Sequence, residues 1–526
     1  MNSKSKPVTP ITQNQNRRFL FPRKEGLPGP TPQGGSWEKL GLKLCLLGLP
    51  LGWGATGWAN ATLNLEGFLE QVKTGNQGFQ SSLESKKAAE LRSEEGKILF
   101  APSFYANAQI TQDSKLPPSL FVIYDSQLIQ SYSVGISQQT SFGLGAKLHY
   151  DLLQMDYINP TFQLGGGGGG GGQTQLFAFN YGLATPVLEL SQSLWANGFG
   201  RTTKALEQQT EAGALASKYK ASFETKLTLT EAERAYWRLA SAREVVKVQK
   251  EALDRTKRIY VWNEEKAQLQ LRDKADVLQA QALMKSRELE LLNAENEERA
   301  AARALNSLRG LQADEVTESL EWIGSEALMA LTPPKRAQLK DDVRAAHEAF
   351  RAAQAGADLA SEKNRPSLDL FASVSLNGQD LRSVPSSISE SIGKSFAFTR
   401  PSETIGLKFS IPLTEARSKA LEGWQLEKVA AEKNYDKKLF DQERSWRDLN
   451  ESFADQKKQW ELACSLEELQ KTRLETEKAR FKSGRSTTYQ VLLSEQDYVL
   501  TELAQIRLQT AILSTLAQMK LFGESL

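Results

Sequence analysis

The chain has 526 residues, and 65 Lys and Arg stand against 63 Asp and Glu, which gives a formal charge of +2. Such a balance gives no support to nucleic-acid binding. Hydrophobic residues make up 40% and the mean hydropathy is −0.44, too low for a bundle of membrane helices. Two cysteines, Cys45 and Cys464, make no disulfide scaffold and no CxxC, and the two histidines, His149 and His347, lie far apart in sequence. This points away from metal or Cys/His chemistry and leaves only carboxylates for an enzyme.

Residues 1–43 carry Lys4, Lys6, Arg17, Arg18, Arg23, Lys24, Lys39 and Lys43 with one acidic residue, Glu25, before Glu38. No charge appears from Leu44 to Leu65, and the apolar part ends at Ala59-Asn60-Ala61. This predicts an export signal over 1–61, cleaved after Ala61. The competing reading, a membrane anchor, is disfavoured by Pro50, the many glycines and the polar Asn60, Thr62 and Asn64. Cys464 is then the one thiol of the mature chain.

The rest reads as a duplication. Ala101-Pro102-Ser103-Phe104 recurs as Arg365-Pro366-Ser367-Leu368, each before an alternating segment. Leu194 recurs as Leu413, Leu278 as Leu492 and Gly310 as Gly523, at offsets of 219, 214 and 213 residues. The first copy is longer by about 45 residues, and the extra part holds eight glycines, Gly165–Gly172, read as an exposed loop. The first repeat covers 62–312, an inter-repeat segment 313–338, and the second repeat 339–526.

Within the first repeat, Phe104, Ala106, Ala108 and Ile110 alternate with polar residues, which predicts a strand over about 101–112. An additional alternating segment over 132–150 carries Val134, Ile136, Phe142, Leu144, Ala146 and Leu148 on one side. A further strand over about 176–194 carries Phe177, Phe179, Tyr181, Leu183 and Val187. Helices follow at about 201–268 and 276–309. The first has no Pro and only Gly213, and Leu229, Ala232, Tyr236 and Leu239 recur at three- and four-residue spacing. The second repeat follows the same plan, with strands about 367–377 and 404–413 and helices about 415–482 and 489–521. Strands of about ten residues, apolar on one face and polar on the other, suit either an outer-membrane barrel or a soluble sandwich.

Two copies of a β-hairpin plus a long helical hairpin behind an export signal resemble the TolC family of outer-membrane efflux and secretion ducts. The most specific residues are Arg480-Phe481-x-x-Gly484-x-x-Thr487-x-x-x-Val491-Leu492 and the LW-x-N-x-x-G-R run at Leu194–Arg201. The resemblance implies a mixed α and β fold in which three protomers give four strands each to a twelve-stranded barrel, continued by a helical barrel in the periplasm. Four strands alone leave open edges in lipid, so partners are needed. The segment 132–150 exceeds the family count; it either extends a strand beyond the membrane or makes a separate hairpin.

The resemblance further implies a periplasmic gate at Asp276, Phe481, Ser486 and Gln490, and adaptor-docking tips at Gln270, Leu271, Arg272, Gly484, Arg485 and Thr487. Several of these depart from the family pattern. Phe481 lacks a tyrosine hydroxyl, Ser486 stands where a basic residue is usual, and Gln490 and Leu493 stand where acidic residues ring the entrance. Glu495 or Asp497 could replace that ring. Gln270 stands where a glycine is usual.

The implied function is a passive exit duct in the outer membrane of a Gram-negative-type envelope. The implied partners are two further copies of the chain, a periplasmic adaptor, an inner-membrane pump and outer-membrane lipid, with no nucleic acid, cofactor or metal. The rival readings are a periplasmic adaptor, which needs one hairpin and a lipoyl-like module, and an envelope structural protein. An enzyme using Glu70 or Asp151 is the remaining rival, and no carboxylate pair has a spacing that argues for it.

Overall fold

The computed structural model describes residues 62–115, 122–163, 173–175, 180–271, 273–378, 387–397, 401–411, 413 and 415–523. The expected export signal 1–61, the glycine tract 165–172, residues 176–179 of the expected second strand, and Arg272 lie outside them. The first repeat comprises β1 (Thr62–Leu63), α1 (Leu65–Gly75), α2 (Gln77–Arg92), β2 (Ser103–Asp113), β3 (Val122–Ile123), β4 (Ser126–Gln139) and β5 (Leu144–Ile158). It continues with β6 (Thr161–Gln163), β7 (Gln173–Gln175), β8 (Asn180–Ser193), α3 (Arg201–Gln268) and α4 (Lys274–Leu308). Between the repeats lie β9 (Ser319–Leu320) and α5 (Ser325–Ala330). The second repeat comprises α6 (Asp341–Lys363), β10 (Ser367–Leu376), α7 (Ile388–Lys394), β11 (Pro401–Ser410), α8 (Ala416–Lys482) and α9 (Thr488–Met519).

The principal sheet has six strands in the order β11-β10-β8-β5-β4-β2, every neighbouring pair antiparallel. The resemblance implied four. The segment 132–150 is not one strand but parts of two, β4 and β5, joined by a turn at Thr140–Gly143 and inserted between β2 and β8. Of the two expectations for this segment, a hairpin is what forms; the alternation runs through it unbroken, and the turn is marked only by Gly143, whose φ is +84°.

Side chains on successive strand residues face opposite ways, so the register sorts the sheet into two faces. Phe104, Ile136, Leu148, Leu188 and Val374 fall in one cross-strand row, and Leu190, Ala372 and Ile405 in the next. These large apolar groups are exposed, Phe104 by 71% and Ile405 by 81%. The opposite face carries Ser103, Ser137, Lys147, Glu189 and Ser373. A water-soluble sandwich would bury the apolar face; here it is open.

The helices α3 and α8 have 68 and 67 residues, a length of about 100 Å each at 1.5 Å per residue. Each turns back through a shorter helix, α4 or α9. Near the middle of α3, Tyr236, Trp237 and Leu239 pack with Phe68, Leu305, Leu328, Phe453, Trp460, Ile512, Leu513 and Met519. This core joins both repeats to the inter-repeat segment. Tyr236 ties it down further: its hydroxyl donates to Leu63 O at 2.7 Å and accepts from Glu321 N at 2.9 Å. The N-terminal helices α1 and α2 and the helix α6 were not assigned from sequence, although α6 buries a small-residue face of Ala346, Ala355, Gly356 and Ala357.

Among the described residues no helix is long and apolar enough to cross a membrane.

Candidate functional site

The ends of the two helical hairpins remote from the sheet hold the tip residues singled out from sequence, Arg272 aside, which lies outside the described residues. Both turns are built alike. After α3, Gln270 N donates to Ala267 O at 2.9 Å and Leu271 N to Lys266 O at 2.9 Å. After α8, Gly484 N donates to Phe481 O at 3.1 Å and Arg485 N to Arg480 O at 2.8 Å. This pair of bonds closes a helix with one residue in the left-handed region. Gly484 has φ +72° there, and Gln270 has φ +59°. The position where a glycine is usual is thus held by a glutamine in the glycine's own conformation, at a cost to the backbone of about 1 kcal/mol.

The return helices are capped by their own sequences. Asp273 accepts from Ala275 N at 3.2 Å to start α4. Thr487 and Gln490 form a reciprocal capping box at the start of α9: Gln490 N donates to Thr487 Oγ1 and Thr487 N to Gln490 Oε1, both at 3.3 Å. Asp276 and Gln490 therefore occupy the same third helical position of the two hairpins. Ser486 Oγ lies 2.7 Å from Glu477 Oε2 and 3.0 Å from Gln490 Oε1. Three of the sequence-predicted residues, Ser486, Thr487 and Gln490, are thus bonded to one another. Phe481 is buried against Trp262 of α3, with ring centroids 4.4 Å apart. Leu271, Gly484 and Arg485 are exposed at the tips, as is Leu269.

The two hairpins are locked together just behind the tips. Ile259, Ala280, Phe481, Val491 and Leu492 make an apolar cluster with one or more members from each of the four helices. Thr488 Oγ1 donates to Asn263 Oδ1 at 3.0 Å, and Asn263 Nδ2 to Ile259 O at 3.0 Å; both side chains are buried. Glu495, 0% exposed, accepts from Arg255 Nε at 2.5 Å and pairs with Lys478 Nζ at 3.2 Å. Arg255 continues to Glu502 at 3.4 Å and lies over the Tyr498 ring at 5.3 Å. Burial holds the Glu502 carboxyl above the usual carboxylate range, against the Tyr498 hydrogen bond and the Arg255 charge.

Of the two carboxylates offered for an acidic ring, Glu495 is fully buried within the protomer, whereas Asp497 keeps a third of its side chain exposed. Glu495 points into the protomer between α3 and α8, and Asp497 pairs with Arg473 at 3.1 Å. The reason is helical phase: Glu495 lies in the Val491, Leu492, Tyr498, Val499 stripe, which faces the other helices. That stripe was legible, and a charge inside it signals a buried ion pair; the partners Arg255 and Asn263 sit in the matching α3 stripe of Val248, Ala252 and Ile259.

Neither carboxylate considered for catalysis is placed for it. Glu70 makes an exposed pair with Lys73 at 2.7 Å, and Asp151 lies on the sheet, accepting from Ser133 Oγ at 2.6 Å. No group of three or more His, Cys, Asp or Glu poised for a metal ion occurs among the described residues.

Residues 333–522, the second repeat with its lead-in, match the profile of the family described as outer membrane efflux protein. No curated protein sequence gives a significant match. Solved structures do. The outer-membrane channel OprN matches at TM-score 0.59 and 15% identity, over 87% of this chain and 89% of its own. The outer membrane protein VceC of Vibrio cholerae matches at 0.60 and 15%, over 88% and 96%. The MtrE outer membrane channel of Neisseria gonorrhoeae, in its open state, matches at 0.56 and 16%, over 87% and 89%. At such identity the likeness speaks for the fold.

Proposed function

We propose that this chain, whose residues 333–522 match the outer membrane efflux protein family, is the outer-membrane exit duct of a tripartite efflux or secretion assembly. The observation that carries this reading is a sheet with one exposed apolar face and two open edges, continuous with two helical hairpins long enough to reach deep into the periplasm. Lipid covers the apolar face, and neighbouring copies in a homotrimer cover the edges. The helices leave matching surface for those copies: Leu426, Val429, Phe440, Leu462, Leu466 and Leu469 of α8 are exposed at helical spacing. A periplasmic adaptor calls for one helical hairpin; this chain has two.

The duct is passive, and the energy for transport comes from an inner-membrane pump reached through an adaptor. Asp276 and Gln490, at the third position of their helices, line the closed entrance with Phe481 and Ser486 buried behind them, and its opening requires the hairpins to separate. The Arg255–Glu495–Lys478 cluster and the Asn263–Thr488 bond resist that separation within each protomer. The adaptor meets the turns at Gln270, Leu271, Arg272, Gly484, Arg485 and Thr487, where Leu269 and Leu271 supply exposed apolar contacts.

The test is electrical. Purified protein in a planar bilayer gives uniform small conductance steps, and Glu495→Ala raises them by loosening the entrance. Absence of any conductance from wild type and variant alike would contradict the duct.

A further inference from the structure

We infer that the β4–β5 hairpin is part of the barrel wall, so that three copies close a barrel of eighteen strands, with β2 of one copy pairing with β11 of the next. The inference rests on the trimeric duct proposed above and assigns its wall.

Four observations carry it. The hairpin is fully hydrogen-bonded into the sheet on both sides, over Ser103–Asp113 against β4 and Leu144–Asp156 against β8. A flap lying outside the wall would instead leave β2 beside β8. Second, the apolar band keeps its height across the insert: Phe104, Ile136, Leu148 and Leu188 share a row, Ala108, Tyr132, Leu152 and Ala184 another, and the next row turns polar at Gln130 and Gln154. From Leu144 to Leu152 that band covers the roughly 9 to 11 residues a tilted strand needs to cross the membrane. On β5 and β8 the upper rows of this band, from Tyr150, are covered by segment 387–397 of the same chain: Phe396 stacks on Tyr150 at 5.8 Å, Ser395 Oγ lies 2.8 Å from the Tyr150 hydroxyl, and Ala184 is 0% exposed.

Third, the β4–β5 turn is fastened to the junction where the strands pass into α3. Gly143 and Gly200 both have positive φ, +84° and +81°, and a Cβ on Gly200 would stand 2.1 Å from Ser141 O. Gln192 Nε2 donates to Phe142 O at 3.2 Å from the neighbouring strand. Fourth, the strand number is even. With six alternating strands per copy, β2 runs opposite to the next copy's β11, and threefold rotation closes the sheet with no parallel seam. The two edges also match in length, 11 and 10 residues, whereas β4, β5 and β8 have 14 or 15.

Barrel diameter rises in proportion to strand number, so the lumen is about half again as wide as that of a twelve-stranded barrel. At about 4.8 Å between strands and a tilt near 40°, the backbone circle is about 36 Å across instead of about 24 Å. Eighteen-stranded walls leave an open aqueous channel. The insert also furnishes its inner face: Lys147 pairs with Glu189 at 3.6 Å, and His149 Nδ1 lies 2.9 Å from Asp151 Oδ1. A wide, charge-lined exit fits bulky, hydrated cargo.

The experiment is electron cryomicroscopy of the full-length protein extracted from the membrane into nanodiscs, viewed along the threefold axis. Eighteen strands in the ring are expected. A twelve-strand ring with the hairpins outside it would overturn the inference and leave the duct standing, whereas particles without any threefold barrel would overturn both. Thiol labelling in the Cys464→Ser background gives an independent reading. Ile136→Cys and Leu148→Cys react with a lipid-dissolved maleimide, and Ser137→Cys with a water-soluble one added on the outer side. Loss of that sidedness at Ile136 and Leu148 would likewise overturn the wall assignment.

Discussion

Gln270 and Gly484 stand at the same point of two equivalent turns, with the same left-handed backbone, and only one of them suits it. The pair offers a controlled comparison. Gln270→Gly is expected to steady the first tip by about 1 kcal/mol, and Gly484→Ala, which meets no atom within 4 Å, to weaken the second by a similar amount through backbone strain alone. Hydrogen exchange of the amides after each turn measures both, and equal protection in all three proteins would contradict the assignment. Behind the tips, Glu495→Ala leaves Arg255 and Lys478 facing a void where their counter-charge stood. Breaking a buried pair costs about 3 to 5 kcal/mol, so exchange at the start of α9 is expected to rise by two orders of magnitude or more. Glu502 behaves differently. Its carboxyl titrates above its unfolded value because burial disfavours the charge, so its contribution to stability is complete below the ordinary Glu range and is lost as pH rises through the raised value. Wild type should therefore gain on Glu502→Gln as the pH is lowered, and a difference between the two proteins that stays flat with pH would remove this reading.

At the scale of elements, the long helices and most strands were legible because each follows one period without interruption. The heptad-like runs of α3 and α8 and the period-two run of β10 leave no competing assignment. The inserted hairpin was legible as alternation and as one of two alternatives, with nothing in the sequence to choose between an extended strand and a hairpin. Its turn has no Asn-Gly or Asp-Gly, and the glycine that makes it possible, Gly143, sits in phase with Gly145 as if in a single strand. What fixes the turn lies 57 residues away, at Gly200, where a side chain would collide with Ser141 O. Such a contact has no local signature. Gly200→Ala combines that collision with a positive φ and is expected to cost about 2 kcal/mol or more. The readout is the temperature at which detergent-resistant oligomers dissociate, which should fall; an unchanged value would mean that the hairpin is not anchored there. The tip site divides in the same way. The capping box Thr487–Gln490 follows from sequence spacing, whereas the Arg255–Glu495 and Asn263–Thr488 partners are separated by 240 and 225 residues and emerge only when the hairpins pack.

For the whole molecule, the decisive property is incompleteness. One copy exposes Phe104, Ile405, Leu407 and Phe409 on a sheet with two unpaired edges, and exposes apolar residues along α8. An isolated copy in water would aggregate through those edges and that face. In the proposed duct, insertion into lipid and closure with copies of itself would satisfy both demands together, and the tips would give the assembly a controllable entrance. The most direct measurement is the mass of the detergent-extracted protein from the outer-membrane fraction of a Gram-negative host expressing the whole chain. The account predicts an outer-membrane species of three times the mature chain's mass. A soluble periplasmic monomer, or protein held in the inner membrane, would contradict it.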